Sequence, residues 1–325
     1  MIGRTLLAAV AIGTLSSPLQ RFEYSQPHMG TMFSIVLYAA GEPEAKQAAD
    51  AAFARIAVLD ETLSDYRDSS ELMRVSRGAG GPPVGVSEDL YRVLRASQAL
   101  ARASDGAFDV TAGPLTILWR AARRHRELPS DESLALARRL VGADKLVLDE
   151  RFHTVTLRER GMQLDAGGIA KGFAADEATL ILSRRGLTRT LVAAGGDIVA
   201  GEAPPGQEGW RVAVASHAET IDTTLAISNE AVSTSGDAEQ HVEIAGVRYS
   251  HIVDPRTGTA LAGRSSVTVV APAGITSDGL ATAVSVLGPE AGLRLVDGVN
   301  GASARISQME AGQVKTYRSA RWPGR

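Results

Sequence analysis

One stretch restricts this chain more than any other: Met162–Asp176, MQLDAGGIAKGFAAD. A carboxylate, Asp165, is followed at once by Gly167 and Gly168. Ile169, Phe173, Ala174 and Leu180 then fall near helical spacing. The plain reading is a strand–turn–helix junction whose glycines serve the bend. The alternative is a ligand cradle, because glycines allow close backbone approach and a helix start offers unpaired N–H groups to phosphate. Lys171 lies in the first turn, where a cation opposes the helix dipole. It makes more sense facing an anion than facing solvent.

Around that junction, strands and helices alternate without strict βαβ order, which favours an α+β fold over a doubly wound sheet. The spacing predicts a strand over Thr31–Ala39, a helix from Pro43 to Thr62, a helix re-entered at Ser70–Glu71 and another over Glu88–Ser104. Further on it predicts a helix over Ser130–Leu140 and a hairpin turning at Asp149–Phe152. One strand, TLVAAGGDIVAGE, is interrupted by Gly195–Gly196–Asp197, which suggests a bulge or close backbone approach. A hairpin turns near Ala245–Gly246, with His251 just ahead of the turn DPRTG. A strand covers Ser265–Ala271, a helix Thr276–Leu287 takes Thr276 or Ser277 as N-cap, and a short helix covers Pro289–Val296.

Composition removes several function classes. With no cysteine there is no disulfide, no thiol nucleophile and no Cys-based metal site. A net charge of −3 without a long basic run argues against nucleic acid. No GxGxxG or GxxxxGK[ST] is present, so neither a Rossmann nor a P-loop site is expected. Residues 1–20 read as a secretory leader: one Arg, an apolar core Leu6–Leu15, then small residues. The alternative is a buried first helix. The expected product is an exported protein with one domain over residues 21–325 and no transmembrane segment in the mature chain.

Asp278 and Thr282 stand four apart on one predicted helix, so both oxygens reach one point. A carboxylate and a hydroxyl form a hard-oxygen pair suited to Mg²⁺. The competing reading is an aspartate serving the helix dipole and a core-facing threonine. Glycine turns, a lysine and this pair together describe a pyrophosphate-handling site, without naming the nucleotide. Ala107–Asp109, between two glycine breaks, reads in isolation as turn chemistry.

The ordered set MGT (Met29–Thr31), SDYRDSSELMR, DGAFDVTAGPL, LDAGGIAKGFAAD, AGGDI, STSGD, YSHIVDPRTG and SDGLATAVSVLG resembles the bacterial ApbE family of flavin transferases, from about Ser25 to about Tyr317. The resemblance implies a mixed α/β, T-fold-like architecture with mixed or antiparallel sheets flanked by helices. It implies a Mg²⁺-dependent enzyme that splits FAD, joins FMN through a phosphoester to a Ser or Thr of an acceptor protein, and releases AMP. By matching position, Met29, Tyr66, Ala107, Phe108, Asp109, Asp165, Lys171 and Ile252 would line the FAD site. Gly168 and Ala281 through carbonyls, with Asp278 and Thr282 through side chains, would hold Mg²⁺. His251 is the candidate to take the acceptor's proton, with an ordinary pKa near neutrality.

Three departures stand out. Ser277 replaces the usual Ala and should be harmless or improve the helix cap. Ala238 replaces a frequent aromatic after SGD. The sequence has no cysteine to carry a lipid, so the chain is expected free in the periplasm, or retained if the leader stays uncleaved. Two other functions stay open: hydrolysis of FAD to FMN and AMP, and storage of FAD without chemistry.

Overall fold

The computed structural model describes residues 18–323, except 218–219, 237–240 and 311. Residues 1–17 of the expected leader and the Ala238 position lie outside the described residues. The described chain opens as a hairpin, β1 (Gln20–His28) and β2 (Thr31–Ala39), in which His28 pairs with Thr31. Met29 and Gly30 form its two-residue turn, at φ 48° and 73°, the left-handed pair that such hairpins need. β2 has the expected bounds. β1 went unread because its start merges with the leader and its Phe22 and Tyr24 are only half-buried.

Helix α1 (Glu42–Leu63) lays Ala45, Ala49, Phe53, Ile56 and Leu59 against Phe33, Ile35 and Leu37 of β2. Helix α2 (Glu71–Arg77) starts from Ser70, whose Oγ accepts the Met73 N–H at 3.0 Å. A short strand β3 (Val84–Gly85) precedes α3 (Glu88–Ala103), α4 (Gly113–His125) and α5 (Asp131–Arg139). The expected hairpin, β4 (Leu146–Asp149) and β5 (Thr154–Leu157), joins β3 in a small antiparallel sheet. Helix α6 (Ala170–Arg184) follows the glycine junction.

The segment expected as one interrupted strand is instead a hairpin, β6 (Thr190–Ala194) and β7 (Asp197–Ala200). Ala194 pairs with Asp197, and Gly195 turns at φ 63°, so the glycine pair reverses the chain. Next come β8 (Trp210–His217), β9 (Thr220–Ile227) and β10 (Glu230–Gly236). Strands β11 (His241–Ile244) and β12 (Val247–Val253) turn where expected and gain a third neighbour, β13 (Ala260–Ala262). Strand β14 (Ser265–Ala271), helix α7 (Gly274–Asp297), β15 (Ser303–Glu310) and β16 (Gln313–Arg318) close the fold.

The main sheet is antiparallel, in the order β1-β2-β6-β7-β10-β14-β15-β16. Helices α1, α6 and α7 bury one face, while Val36 and Val232 on the other meet Trp210, Val212 and Leu225 of the β8–β9 hairpin. This is the mixed α+β class expected. No helix among the described residues is long and apolar enough to cross a membrane.

Helix α7 departs from expectation at its start. It begins at Gly274, and Asp176 of α6 takes the N–H groups of Gly274 (2.6 Å) and Ile275 (2.9 Å). Neither Thr276 nor Ser277 is the N-cap. Ser277 is fully buried, with Oγ 2.8 Å from Ser233 Oγ, so it ties the helix to β10 rather than improving a cap. The short helix expected from Pro289 continues α7 across a kink at Gly288 (φ 73°). A Cβ on Gly172 would stand 2.1 Å from the Gly274 carbonyl oxygen, so α6 and α7 touch backbone to backbone.

Candidate active site

A cavity of about 1030 Å³ opens where the Met29–Gly30 turn, the loop after α1, one face of α4, the glycine junction, the β6–β7 turn, β12 and α7 meet. Every expected site residue lines it: Met29, Tyr66, Ala107, Phe108, Asp109, Asp165, Gly168, Lys171, His251, Ile252, Asp278, Ala281 and Thr282. Residues from distant parts of the sequence therefore share one space.

Its floor is a charged cluster. Lys171 Nζ lies 2.6 Å from Asp197 Oδ2 and 3.7 Å from Asp278 Oδ2, and the Gly172 N–H donates to the same Asp278 oxygen at 3.0 Å. Lys171 does face anions, but they are carboxylates of the protein. Burial, then the Asp197 charge, push the Asp278 carboxyl up to about 7, against the pull of Lys171 and the Gly172 N–H. Burial would draw the Lys171 ammonium down, but Asp278 and Asp197 outweigh it and hold it above the ordinary lysine range. Asp197 is a site residue that the sequence motifs leave unassigned, and the AGGDI turn is the signal that marks it.

The helix start is less open to phosphate than its sequence suggests. Ile169 and Ala170 donate to the Ala166 carbonyl, and Gly172 donates to Asp278, so most early N–H groups of α6 are taken inside the protein. Gly168 is required for another reason: a Cβ there would stand 2.8 Å from Thr282 Oγ1 and 3.3 Å from Phe108.

The oxygen donors fit a hard cation. Thr282 Oγ1 and the Gly168 carbonyl lie 3.5 Å apart, too far for a strong hydrogen bond and close enough to share an ion. Both close contacts of the Asp278 carboxylate fall on Oδ2. The Ala281 carbonyl accepts the Ser285 hydroxyl at 2.8 Å, which does not bar the same oxygen from an ion. Among the described residues no three His, Asp or Glu side chains cluster as a metal site. Any ion here would draw on a single carboxylate, Asp278, with hydroxyl and carbonyl oxygens and further oxygens from outside the protein, the pattern typical of Mg²⁺ with phosphates.

The upper wall carries Tyr66, 75% exposed, and an arginine that no motif marked. Arg120 bridges Asp65 (2.5 Å) and Asp165 (3.2 Å), and its guanidinium carbon lies 4.2 Å from the centre of the Tyr66 ring. Burial, then Asp165, push the Asp65 carboxyl up to about 6. The signal for Arg120 was a polar stripe on α4: Thr116, Arg120 and Arg123 line the cavity at helical spacing. Asp109 keeps the turn role its sequence suggested, accepting the Thr111 N–H (2.8 Å) and hydroxyl (2.7 Å), while burial raises its pKa. His251 is exposed on β12, and Ile252 beside it is buried.

The sequence model of the ApbE family matches residues 29–306. The chain belongs to the ApbE family. The FAD:protein FMN transferase of Vibrio cholerae is 29% identical over 299 residues, which cover 90% of this chain and 89% of its own. That of Treponema pallidum is 33% identical over 309 residues, 89% and 85% of the two chains. The structure of flavin transferase ApbE from V. cholerae superposes with a TM-score of 0.84 at 29% identity, covering 93% of this chain and 98% of that one. The flavinyl transferase ApbE of Pseudomonas stutzeri gives 0.83 at 30% identity, covering 93% and 96%. The antiparallel sheet with flanking helices is thus the ApbE architecture.

Proposed function

We propose that this protein is an FAD:protein FMN transferase, which breaks the bond between the two phosphates of FAD and joins the FMN phosphorus to a Ser or Thr oxygen of an acceptor protein. AMP leaves. The observation that carries the reading is the floor of the cavity: one lysine and two carboxylates beside a hydroxyl and a carbonyl oxygen 3.5 Å apart, in an ApbE-family chain. A cavity of about 1030 Å³ suits a dinucleotide better than a small metabolite.

Asp278 and Thr282 through side chains, with Gly168 and Ala281 through carbonyls, would hold Mg²⁺. When bound, the ion neutralises phosphate charge and stabilises the departing AMP. Lys171 keeps Asp278 and Asp197 in place and supplies positive charge beside the diphosphate. Met29, Ala107, Phe108 and Ile252 furnish the apolar lining, Tyr66 a stacking face, and Asp165 an acceptor for a polar ring edge. Asp109, whose carboxylate is committed to its turn, shapes the wall. His251, exposed on β12, takes the acceptor hydroxyl's proton as the new P–O bond forms. The leader over residues 1–20 would export the protein to the periplasm, where residues 21–325 would work as one domain.

The test is to incubate the protein with FAD, Mg²⁺ and an acceptor domain, then measure flavin fluorescence on the acceptor in a denaturing gel, with AMP in solution. Labelled acceptor with one AMP per label is expected. AMP without label would make the protein a hydrolase, and neither product would make it a binder. Asp278→Ala should lower turnover by at least about a hundredfold while FAD still binds, since the lost group acts on the reacting phosphates. Full turnover in that variant removes the metal assignment.

A further inference from the structure

Arg120 joins two parts of the wall that the sequence holds far apart. Its guanidinium reaches Asp65, in the loop after α1, and Asp165, at the glycine junction, through separate nitrogens. Its flat face lies 4.2 Å from the Tyr66 ring centre. The Arg120, Asp65 and Asp165 side chains are 20%, 12% and 11% exposed, so the fork is largely shut off from solvent. Tyr66, by contrast, is 75% exposed. Its loop is tied by the Tyr66 and Arg67 N–H groups to Ser64 Oγ, both at 3.3 Å, which hold the backbone and not the ring.

An aromatic ring with a cation on one face and most of its surface open can stack a flat group only on the other face. The partner beneath the ring thus decides how well the platform is ordered before a ligand arrives, and pre-ordering raises affinity without a new ligand contact. Arginine suits this place. Its planar fork reaches two carboxylates while the face stays on the ring, which a lysine's point charge cannot reproduce.

We infer that Arg120 is a positioning residue for FAD: it fixes Tyr66 as a one-sided stacking platform and orients Asp165 toward the polar edge of the ring stacked there. The inference rests on the transferase reading, which supplies the flat ligand. Arg120 need not touch FAD; it acts through Tyr66 and Asp165.

The test uses the full chain with Arg120→Lys, Arg120→Met, Tyr66→Leu and the double variant Arg120→Met/Tyr66→Leu. FAD affinity is read by flavin fluorescence titration without divalent ions, and KM and kcat by acceptor labelling. Arg120→Lys and Tyr66→Leu should each weaken FAD binding and raise its KM about tenfold, with kcat at saturating FAD within about twofold. The double variant should bind within about twofold of Arg120→Met alone, because both changes remove one unit. Arg120→Lys keeps a charge between the two carboxylates, so it carries the test if Arg120→Met does not fold. Unchanged affinity in Arg120→Lys, additive losses in the double variant, or a fall in kcat with KM intact would each overturn the inference. Wild-type protein that binds no FAD sinks the transferase reading and this inference with it; wild-type binding with an unaffected Arg120→Lys sinks this inference alone.

Discussion

The cavity floor and its upper wall use the same charge arrangement with different neighbours. On the floor Lys171 stands between Asp197 and Asp278; on the wall Arg120 stands between Asp65 and Asp165. Each triad is largely buried, and in each burial drives one carboxyl upward, Asp278 to about 7 and Asp65 to about 6. What separates them is the surrounding chemistry. Around Lys171 lie a hydroxyl and a backbone carbonyl, which suit a small hard cation and phosphate oxygens. Over Arg120 lies an aromatic ring, which suits a flat ligand. Two carboxylates on one cation are thus a common base. The atoms beside them decide which end of a dinucleotide each would receive.

The sharpest way to break the comparison is Lys171→Met. It leaves Asp197 and Asp278 buried without a cation, so stability measured in chelator should fall by about 3 kcal/mol or more, as for other broken buried pairs. Mg²⁺ in the millimolar range should restore part of that loss at the floor. Arg120→Met, at the wall, should show no such recovery. Equal recovery in both, or in neither, would erase the proposed distinction between the two sites.

Rigidity gives a second contrast. The floor is locked by the touch of Gly172 on Gly274, so Gly172→Ala must force α6 and α7 apart. An expected loss of about 1–3 kcal/mol, the usual range for overpacking, should come with reduced turnover. Tyr66→Leu at the exposed wall should leave the melting temperature within about 1 °C, since exposed substitutions change stability little. A neutral Gly172→Ala would show that the helices can part without harm.

The smallest effect is in pH. Asp65 and Asp278 hold protons more tightly folded than unfolded, where the value is 3.8. Their stabilising contribution is therefore complete below about pH 4 and is lost as pH rises through the folded value. For Asp65 the loss should finish soon above pH 6, and for Asp278 soon above pH 7. Melting temperatures in chelator should then show Asp65→Asn gaining on the wild type between pH 4 and about 6.5, and Asp278→Asn gaining up to about 7.5. Parallel curves across that range would remove the charge arrangement from both sites.

Much of the frame was legible because it depends on neighbours in the chain. Ser70 and Ser130 cap the helices their positions announced, and the β11–β12 turn falls at Ala245–Gly246 as its residues suggest. Legibility failed where a partner comes from afar. Gly195–Gly196 gives the same local signal for a bulge and for a reversal, and the pairing of Ala194 with Asp197 decides it. The cap of α7 comes from Asp176, 98 positions before Gly274, so the search for a local Thr or Ser misplaced the helix start.

Taken alone, the sequence determined the element types, the ordered family motifs and the residues that gather around one cavity. Their side-chain chemistry and near-neighbour spacing suffice for that. Only the tertiary structure decided which polar groups meet: Lys171 with Asp197, the Gly172 N–H with Asp278 across 106 positions, Arg120 with Asp165 across 45. Such pairings depend on distances of a few ångströms between segments that nothing in the linear order brings together, and so they arise only when the sheet and its helices close.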